Sequence, residues 1–317
     1  MATASTTQER AAELNVVARK QRSLWQDAAY RLFRNKAAVV GLIVVAAAFL
    51  IAIFAPVLAP YNPIEIPAKP ASQMEPLWTG SKYTDPRYLL GTDFLGRDIL
   101  SRLIYASRVS MVVGFIPTAI VFGLGVTVGL FAGFFGGWTD QLLMRFTDII
   151  YAFPDFLFLI IIVASFRTSA FGKIMDGLLL IFVAIAIVGW VGVARLTRGQ
   201  VLSLKEREFV EAARSIGATP VRLMWKHLLP NALAPLIVTA AFAVPGAILG
   251  EATLSFLGVG IIPPTPSWGG MINEAFPAFG ASPWTVLMPA ICISIVMLAF
   301  TFVGDGLRDA LDPRMKT

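Results

Sequence analysis

Between two long apolar stretches stands RLTRGQVLSLKEREFVEAARSIGATPVRLMWKHLLPN, residues 195–231, a segment that carries ten charged side chains. Each charge placed at the centre of a bilayer costs roughly 3 kcal/mol, so ten of them would cost about 30 kcal/mol. This segment therefore lies in water, while the apolar stretches on either side are long enough to cross a membrane.

The composition of the whole chain agrees with that contrast. Of its 317 residues, 56% are hydrophobic and only 15% are charged, and the mean hydropathy is +0.72. These values are typical of an all-α polytopic membrane protein. About 36 mostly polar residues precede the first apolar run, so we expect no cleavable signal. We predict six transmembrane helices: residues 37–59, 109–135, a stretch within 141–166, 178–194, 232–251 and 284–303.

The third span is ambiguous because its uninterrupted apolar run, residues 156–166, is too short to cross alone. A longer helix would include Asp148, Pro154 and Asp155. Either the helix is long and kinked at Pro154, or its first half projects into the cytoplasm. We favour the long kinked helix, since membrane helices tolerate proline when neighbouring groups satisfy the freed backbone.

The distribution of Lys and Arg predicts the orientation. Seventeen lie before the first span, in residues 195–231 or after the last span, and seven lie on the opposite side. Both termini are therefore predicted to be cytoplasmic. Residues 1–36 form a cytoplasmic segment with an amphipathic interfacial helix, 60–107 an outer loop, 108–305 a five-helix core and 306–317 a cytoplasmic tail. The net charge of +6 fits a bilayer better than nucleic acid, because no separate basic domain exists.

Residues 195–231 also predict an exposed elbow. Phe209, Ala212, Ala213 and Ile216 share one face of a helix that Gly217 ends. Thr219 is a suitable N-cap, and Pro220 suits the first position of a second helix that extends to residue 229 and precedes Pro230. Two short helices joined at a glycine can transmit a push from a soluble protein to the fourth and fifth spans.

The residues of this elbow resemble the signature of a known family. Glu211-Ala212-Ala213, Gly217 and Leu229-Pro230 resemble the EAA motif of ABC importer permeases, and the longer match is similar to the dipeptide, oligopeptide and nickel branch. Three further stretches agree in the same order, namely residues 90–98, residues 250–258 with 263–269, and residues 304–314. The long N-terminal segment and the first of these stretches resemble the C-type subunit of the permease pair.

The resemblance implies a type I ABC importer permease fold with a cytoplasmic coupling helix. It implies a homologous permease partner forming a heterodimer, two cytoplasmic ABC ATPases that carry ATP and Mg²⁺, and an extracytoplasmic substrate-binding protein at the inner membrane. Glu211, Ala212, Ala213 and Gly217 become ATPase-contact positions, and Pro220 and Pro230 bound the second helix. The alternative is that Ala212 and Ala213 only pack on that helix.

Two carboxylates within predicted spans are candidates for the translocation path or outer gate. Asp155 lies near the bilayer midplane by its position in the third span, and Glu251 lies at the outer end of the fifth. Glu251 can line the path and meet an amine or cation, or it can hold the turn at residues 255–258. We favour the second role.

The sequence contains one Cys, one His and no Gly-x-x-x-x-Gly-Lys-Ser/Thr loop. We therefore predict a non-enzymatic subunit without catalytic residues, metal or cofactor of its own. An ion-coupled secondary transporter or channel that needs no ATPase is the alternative.

Overall fold

The computed structural model describes residues 24–66 and 74–312, and these ranges contain helices and loops but no β-strand. Membrane helices dominate because a bilayer offers no hydrogen-bond partner to an unpaired backbone group. The main helices are α1 Leu24–Arg34, α2 Lys36–Ile53, α3 Ile99–Phe135, α4 Gly137–Tyr151, α5 Asp155–Phe166, α6 Leu178–Leu204, α7 Glu208–Ser215, α8 Leu229–Phe256, α9 Trp268–Ala275 and α10 Pro283–Leu311. Short helical turns cover Ala55–Leu58, Leu77–Thr79, Phe171–Gly177, Pro220–Arg222, Leu223–Leu228 and Phe276–Ala278.

Five of the described helical stretches are long and apolar enough to cross a membrane, and α4 with α5 makes a sixth span if the pair is counted as one. The two helices of this pair meet at 76°. The break falls at residues 152–154, where Pro154 precedes α5. The bend is thus at the expected proline, and residues 152–154 interrupt the long helix, so the pair is either a broken span or a re-entrant loop. At 1.5 Å per residue, α5 alone is about 18 Å long, which is short of a 30 Å hydrocarbon core.

Several helices extend beyond the predicted spans. Helix α3 begins at Ile99, ten residues before the predicted start, and so lies partly in the predicted outer loop. Its N-cap is Asp98, whose side chain accepts a hydrogen bond from the Ser101 amide at 2.8 Å. Helix α10 continues to Leu311, into the predicted tail. Hydropathy does not predict these helix ends, because the helices continue for several turns beyond their apolar residues. In α3 the charge of Arg102 is tolerated because it is paired with Asp93.

Helices α3 and α6 pack closely against each other over several turns. A Cβ atom at Gly125 would lie 2.6 Å from Val193 Cβ and 2.7 Å from the Trp190 carbonyl oxygen. Similar clashes would occur at Gly129 and Gly133 one and two turns later. This small-residue spacing therefore serves packing within the chain, because only glycine lets the two backbones approach this closely.

The N-terminal helices pack on the last one. Asn35 ends α1 and caps α2, where its side chain accepts a hydrogen bond from the Ala38 amide at 3.2 Å. Gly306 of α10 lies against Ala38 and Leu32, so α1 is held next to the C-terminal end of α10. Helix α1 exists as predicted, and its place at the membrane interface stays a prediction.

Candidate functional site

The charged segment forms the predicted elbow. Helix α7 ends at Ser215, and Gly217 adopts φ +84°, a conformation that other residues rarely adopt. Thr219 then caps the next turn by accepting a hydrogen bond from the Arg222 amide at 3.4 Å, and Pro220 occupies the first helical position. The chain therefore reverses at the glycine, where the sequence pattern placed the turn.

The inner side of the elbow is held by apolar packing. Val210 and Ala213 of α7 are buried in one cluster with Leu223, Met224 and Leu228 of the returning segment. The same cluster includes Leu130 of α3 and Val201 of α6. Each buried large aliphatic side chain contributes about 1.5–3 kcal/mol, so the elbow is fixed to the C-terminal ends of two membrane helices.

The side of the elbow that faces away from the membrane helices exposes several apolar side chains among the described residues. Ile216 is 87% exposed, Val221 is 60% exposed, and Phe209 and Trp225 also face outward. The four residues predicted to share one face of α7 therefore do not all point the same way. Ala213 faces the core together with Val210, whereas Phe209, Ala212 and Ile216 are exposed. Of the predicted ATPase-coupling positions, Ala213 packs on the returning segment. The others are exposed, namely Glu211, Ala212, Gly217, Pro220 and Pro230.

The returning segment does not end at Pro230, contrary to the prediction. Residues 223–228 form a π-type turn, and the Leu229 amide bonds to the carbonyl of Met224, five residues earlier. Helix α8 follows without interruption. A wider turn before a proline relieves the clash of its ring with the preceding turn. The returning segment of the elbow and α8 therefore form one continuous helical stretch from Pro220 to Phe256.

Ion pairs tie α6 to α4 just before the elbow. The Arg198 guanidinium binds both carboxylate oxygens of Asp140, at 2.5 and 2.6 Å. Arg195 donates to Asp148 at 2.7 Å and lies 4.3 Å from the centroid of the Tyr151 ring. From the sequence, these two arginines were used only to predict the orientation of the chain in the membrane. The spacing of Asp140 and Asp148, two turns apart on an amphipathic helix, was the available signal for this pairing.

A cavity of about 510 Å³ lies between α3, α5, α6 and α8. Asp155, the first residue of α5, lines it, and Glu251 does not. Glu251 is fully buried, and its Oε1 accepts a hydrogen bond from the Ser255 hydroxyl at 2.6 Å. The Ser255 oxygen in turn accepts the Ile261 amide at 3.1 Å. The structure thus places one candidate carboxylate at the cavity and the other at the turn after α8.

At the end of the bundle away from the elbow, a cluster of charges joins the two loops that are predicted to lie outside. Arg97 donates to Asp93 at 2.6 Å and to Glu274 of α9 at 2.6 Å. Arg102 pairs with the same two carboxylates, at 2.9 Å from Glu274. Both arginines are buried, whereas Glu274 is one-quarter exposed. We call Asp93, Arg97, Arg102 and Glu274 the outer clamp. This cluster was not predicted from the sequence. The available signal was Glu274, which is the only charged residue in residues 257–283.

Comparisons with known proteins agree with this architecture. Residues 125–317 match the family described as binding-protein-dependent transport system inner membrane component. Residues 23–76 match the N-terminal TM domain of oligopeptide transport permease C. The chain is 39% identical over 306 residues to the oligopeptide transport system permease protein OppC of Bacillus subtilis (strain 168), covering 96% of this chain and 95% of the relative.

Two further similarities extend the comparison. The dipeptide transport system permease protein DppC of Alkalihalophilus pseudofirmus is 41% identical over 295 residues, covering 93% of this chain and 91% of the relative. The fold is similar to a chain of the methionine ABC transporter MetNI in an inward-facing conformation, with a TM-score of 0.51, 20% identity, and 68% and 98% coverage. The ion-coupled alternative finds no support in these comparisons. This multi-pass membrane chain belongs to the family of binding-protein-dependent transport system inner membrane components and is a permease subunit of an ABC importer.

Proposed function

We propose that this chain is one of two homologous permease subunits of an ATP-driven importer of dipeptides or oligopeptides. The names of relatives at about 40% identity over most of the chain support a peptide substrate. The ATPases, which bind ATP and Mg²⁺, are separate cytoplasmic subunits, and a binding protein delivers substrate at the outer loops. Both termini face the cytoplasm at the inner membrane.

One observation carries this proposal: the tip of the elbow exposes a large apolar side chain on each side of its turn. Ile216 is 87% exposed and Val221 is 60% exposed in a segment too charged to enter the bilayer. Exposed apolar groups rimmed by charge mark a protein-interaction surface. Glu208, Glu211, Arg207 and Arg214 supply that rim. An ATPase groove of complementary charge fits this tip.

The proposed mechanism follows from the connection between the elbow and the core. ATP binding closes the two ATPases, which draws the two elbows together and turns the pathway outward. ATP can drive this change only because its contacts with the closed ATPases are more favourable than its contacts with the open ones. The elbow passes the change on by staying bound to its ATPase in both states. The buried cluster around Val210 and Met224 transmits this movement to α3, α6 and α8.

Replacing Ile216 with Asp tests the proposal. The side chain is exposed, so the variant should insert and fold like the wild type, but a charge at the contact should weaken ATPase binding. We expect at least about a tenfold loss of ATPase co-purification and substrate-stimulated ATP hydrolysis, equivalent to 1.4 kcal/mol of contact energy.

Ile216→Met is the matched control, since it keeps an apolar side chain of similar size. It should retain both activities within about twofold, a difference well below 1 kcal/mol. If Ile216→Asp behaves like Ile216→Met in the purified complex, the elbow tip is not the ATPase contact.

A further inference from the structure

The cavity between α3, α5, α6 and α8 contains one charged side chain, Asp155, among its described lining residues. Among residues 24–66 and 74–312, Asp155 has no salt-bridge partner and no side-chain hydrogen bond. Two threonines also line the cavity, but Thr118 donates to the Gly114 carbonyl and Thr239 to the Pro235 carbonyl. Asp155 is therefore the group that determines the electrostatic character of the cavity.

The cavity lies near the middle of the bundle, and Asp155 is exposed rather than buried in the described chain. Gly189 and Gly192 line the same cavity and lie near the middle of α6, about 17–21 Å along that helix from Leu178. A carboxylate near the bilayer centre costs at least about 2.5–3.5 kcal/mol unless water or a cation compensates it. Because no basic side chain lines the cavity among the described residues, only water or a cation from outside the chain can compensate Asp155.

Three glycines on the cavity wall are not required for packing in the chain. A Cβ atom at Gly192, Gly246 or Gly250 would meet no described atom within 4 Å. All three lie within helices, where glycine is less favourable than alanine by roughly 0.5–1 kcal/mol. They contrast with Gly125, which is tightly packed. Their small size keeps this wall of the cavity open.

The size and chemistry of the cavity together define an occupant. A volume of about 510 Å³ lies within the range of small-molecule sites, which is 300–1,000 Å³. The Phe242 ring also lines the cavity, and aromatic faces attract cations. A carboxylate and an aromatic ring that line the same mostly apolar cavity can each attract an ammonium group. Glu251 cannot take this role, because it is fully buried and bound to Ser255.

We propose that Asp155 binds the free ammonium group of the solute as it passes through this cavity, so that the permease itself selects amine-bearing substrates. This inference rests on the proposed function as an importer subunit. The glycines of α6 and α8 leave room for the remainder of the solute beside the carboxylate.

Carbodiimide labelling tests the binding site without requiring transport. The purified complex with its partner subunits is treated with dicyclohexylcarbodiimide. Mass spectrometry then follows the loss of the unmodified Asp155 peptide, which counts both the N-acylurea and any amide formed with an added amine, with Asp155→Asn as the blank. Alaninamide, a small cation, should slow modification at least threefold, and neutral N-acetylalaninamide should not. Equal effects of the two compounds, or an Asp155 that is unreactive because a partner subunit covers it, would overturn the proposal.

Uptake into proteoliposomes provides the second measurement. With dialanine as the probe, Asp155→Asn should lower uptake per ATP hydrolysed by about tenfold, a change of 1.4 kcal/mol, while Asp155→Glu retains most of it. Co-purification of the partner subunits should be unchanged in both variants. If Asp155→Asn instead lowers co-purification, Asp155 pairs with a partner subunit and the proposal is wrong.

The two proposals fail in different ways. If the wild-type complex takes up no peptide, the proposed function is wrong, and protection of Asp155 by alaninamide still decides whether the cavity binds an ammonium group. If the wild-type complex transports dialanine but Asp155→Asn does so equally well, the ammonium site is wrong and the importer function stands.

Discussion

At the scale of single residues, Gly217 determines the geometry of the elbow. Its φ of +84° turns the chain between α7 and the returning segment. No described atom lies within 4 Å of the place where a Cβ would stand, so a side chain has room there. The barrier to substitution is therefore backbone strain, which is about 1–2 kcal/mol for an ordinary L-residue in the left-handed region.

Gly217→Val should insert and assemble but uncouple ATP hydrolysis from uptake. A β-branched residue avoids φ +84°, so the turn relaxes and moves Ile216 relative to Val221, the two apolar residues of the tip. We expect uptake per ATP hydrolysed to fall by about tenfold in proteoliposomes, as a 1.4 kcal/mol loss of coupling would produce.

Gly217→Asn is the control for that measurement, because asparagine tolerates the left-handed region better than other side chains. It should keep most of the coupling. A Gly217→Val complex with the same uptake per ATP as the wild type would show that this turn has no part in coupling.

The two candidate carboxylates show what sequence could predict at this scale. Hydropathy identified Asp155 and Glu251 as charges within apolar spans, and both lie in helices of the bundle. Which of them faces a cavity depends on helix rotation. Apolar stretches with weak amphipathic patterning do not encode that rotation, because lipid and protein neighbours are both apolar.

At the scale of elements, the outer clamp connects the start of α3 to α9. It places two buried arginines against two carboxylates, so its charges balance within the cluster. The neighbouring Trp268 indole donates to the Leu103 carbonyl at 3.2 Å and adds a second link between the same elements. Burial also raises the pKa of the nearby Asp98 carboxyl, although Ser101 donates hydrogen bonds to it.

Glu274→Ala should destabilise the outer side of the protein. The variant leaves Arg97 and Arg102 with only Asp93 as a described carboxylate partner, and breaking a buried pair costs roughly 3 kcal/mol. Partial exposure of Glu274 places the expected loss at or below that value. The measurement is the midpoint of thermal unfolding in detergent, which should fall by several degrees.

Asp85→Asn is the matched control for the clamp. Asp85 also pairs with an arginine, Arg87, but that pair is on the surface and Arg87 is largely exposed. The Arg87 guanidinium lowers the pKa of Asp85, yet water screens such exposed pairs. Its unfolding midpoint should match the wild type. If Glu274→Ala also unfolds like the wild type, the clamp does not stabilise the outer loops.

Helix identities followed from the sequence more readily than helix ends and bends. The N-cap at Thr219 and the glycine at residue 217 were predicted correctly, because capping and left-handed turns are local. The start of α3 at Ile99 and the helix running through Pro230 were not. Both depend on distant partners, since the clamp pairs Arg102 and a widened turn accommodates the proline.

At the scale of the whole molecule, the elbow and the cavity are joined by one helical stretch. Residues from Pro220 to Phe256 are continuous, with Val221 at the exposed elbow and Thr239, Gly246 and Gly250 at the cavity wall. A movement imposed on the elbow therefore reaches the cavity through a single element. The sequence predicted the elbow and the fifth span in the right order, but it predicted a break between them at Pro230. The structure shows no such break, so the two are joined by one helix.

The central claim is that the elbow contacts a nucleotide-driven ATPase on the cytoplasmic side. Because Cys292 is the only cysteine, a Cys292→Ala chain carrying Ile216→Cys presents one thiol at the tip. We predict that a bifunctional maleimide cross-links this thiol to an ATPase subunit in native membranes, and that an impermeant maleimide labels it only in inverted vesicles stripped of the ATPases. Labelling from outside intact cells, or the absence of any ATPase cross-link in a transporting complex, would contradict the account.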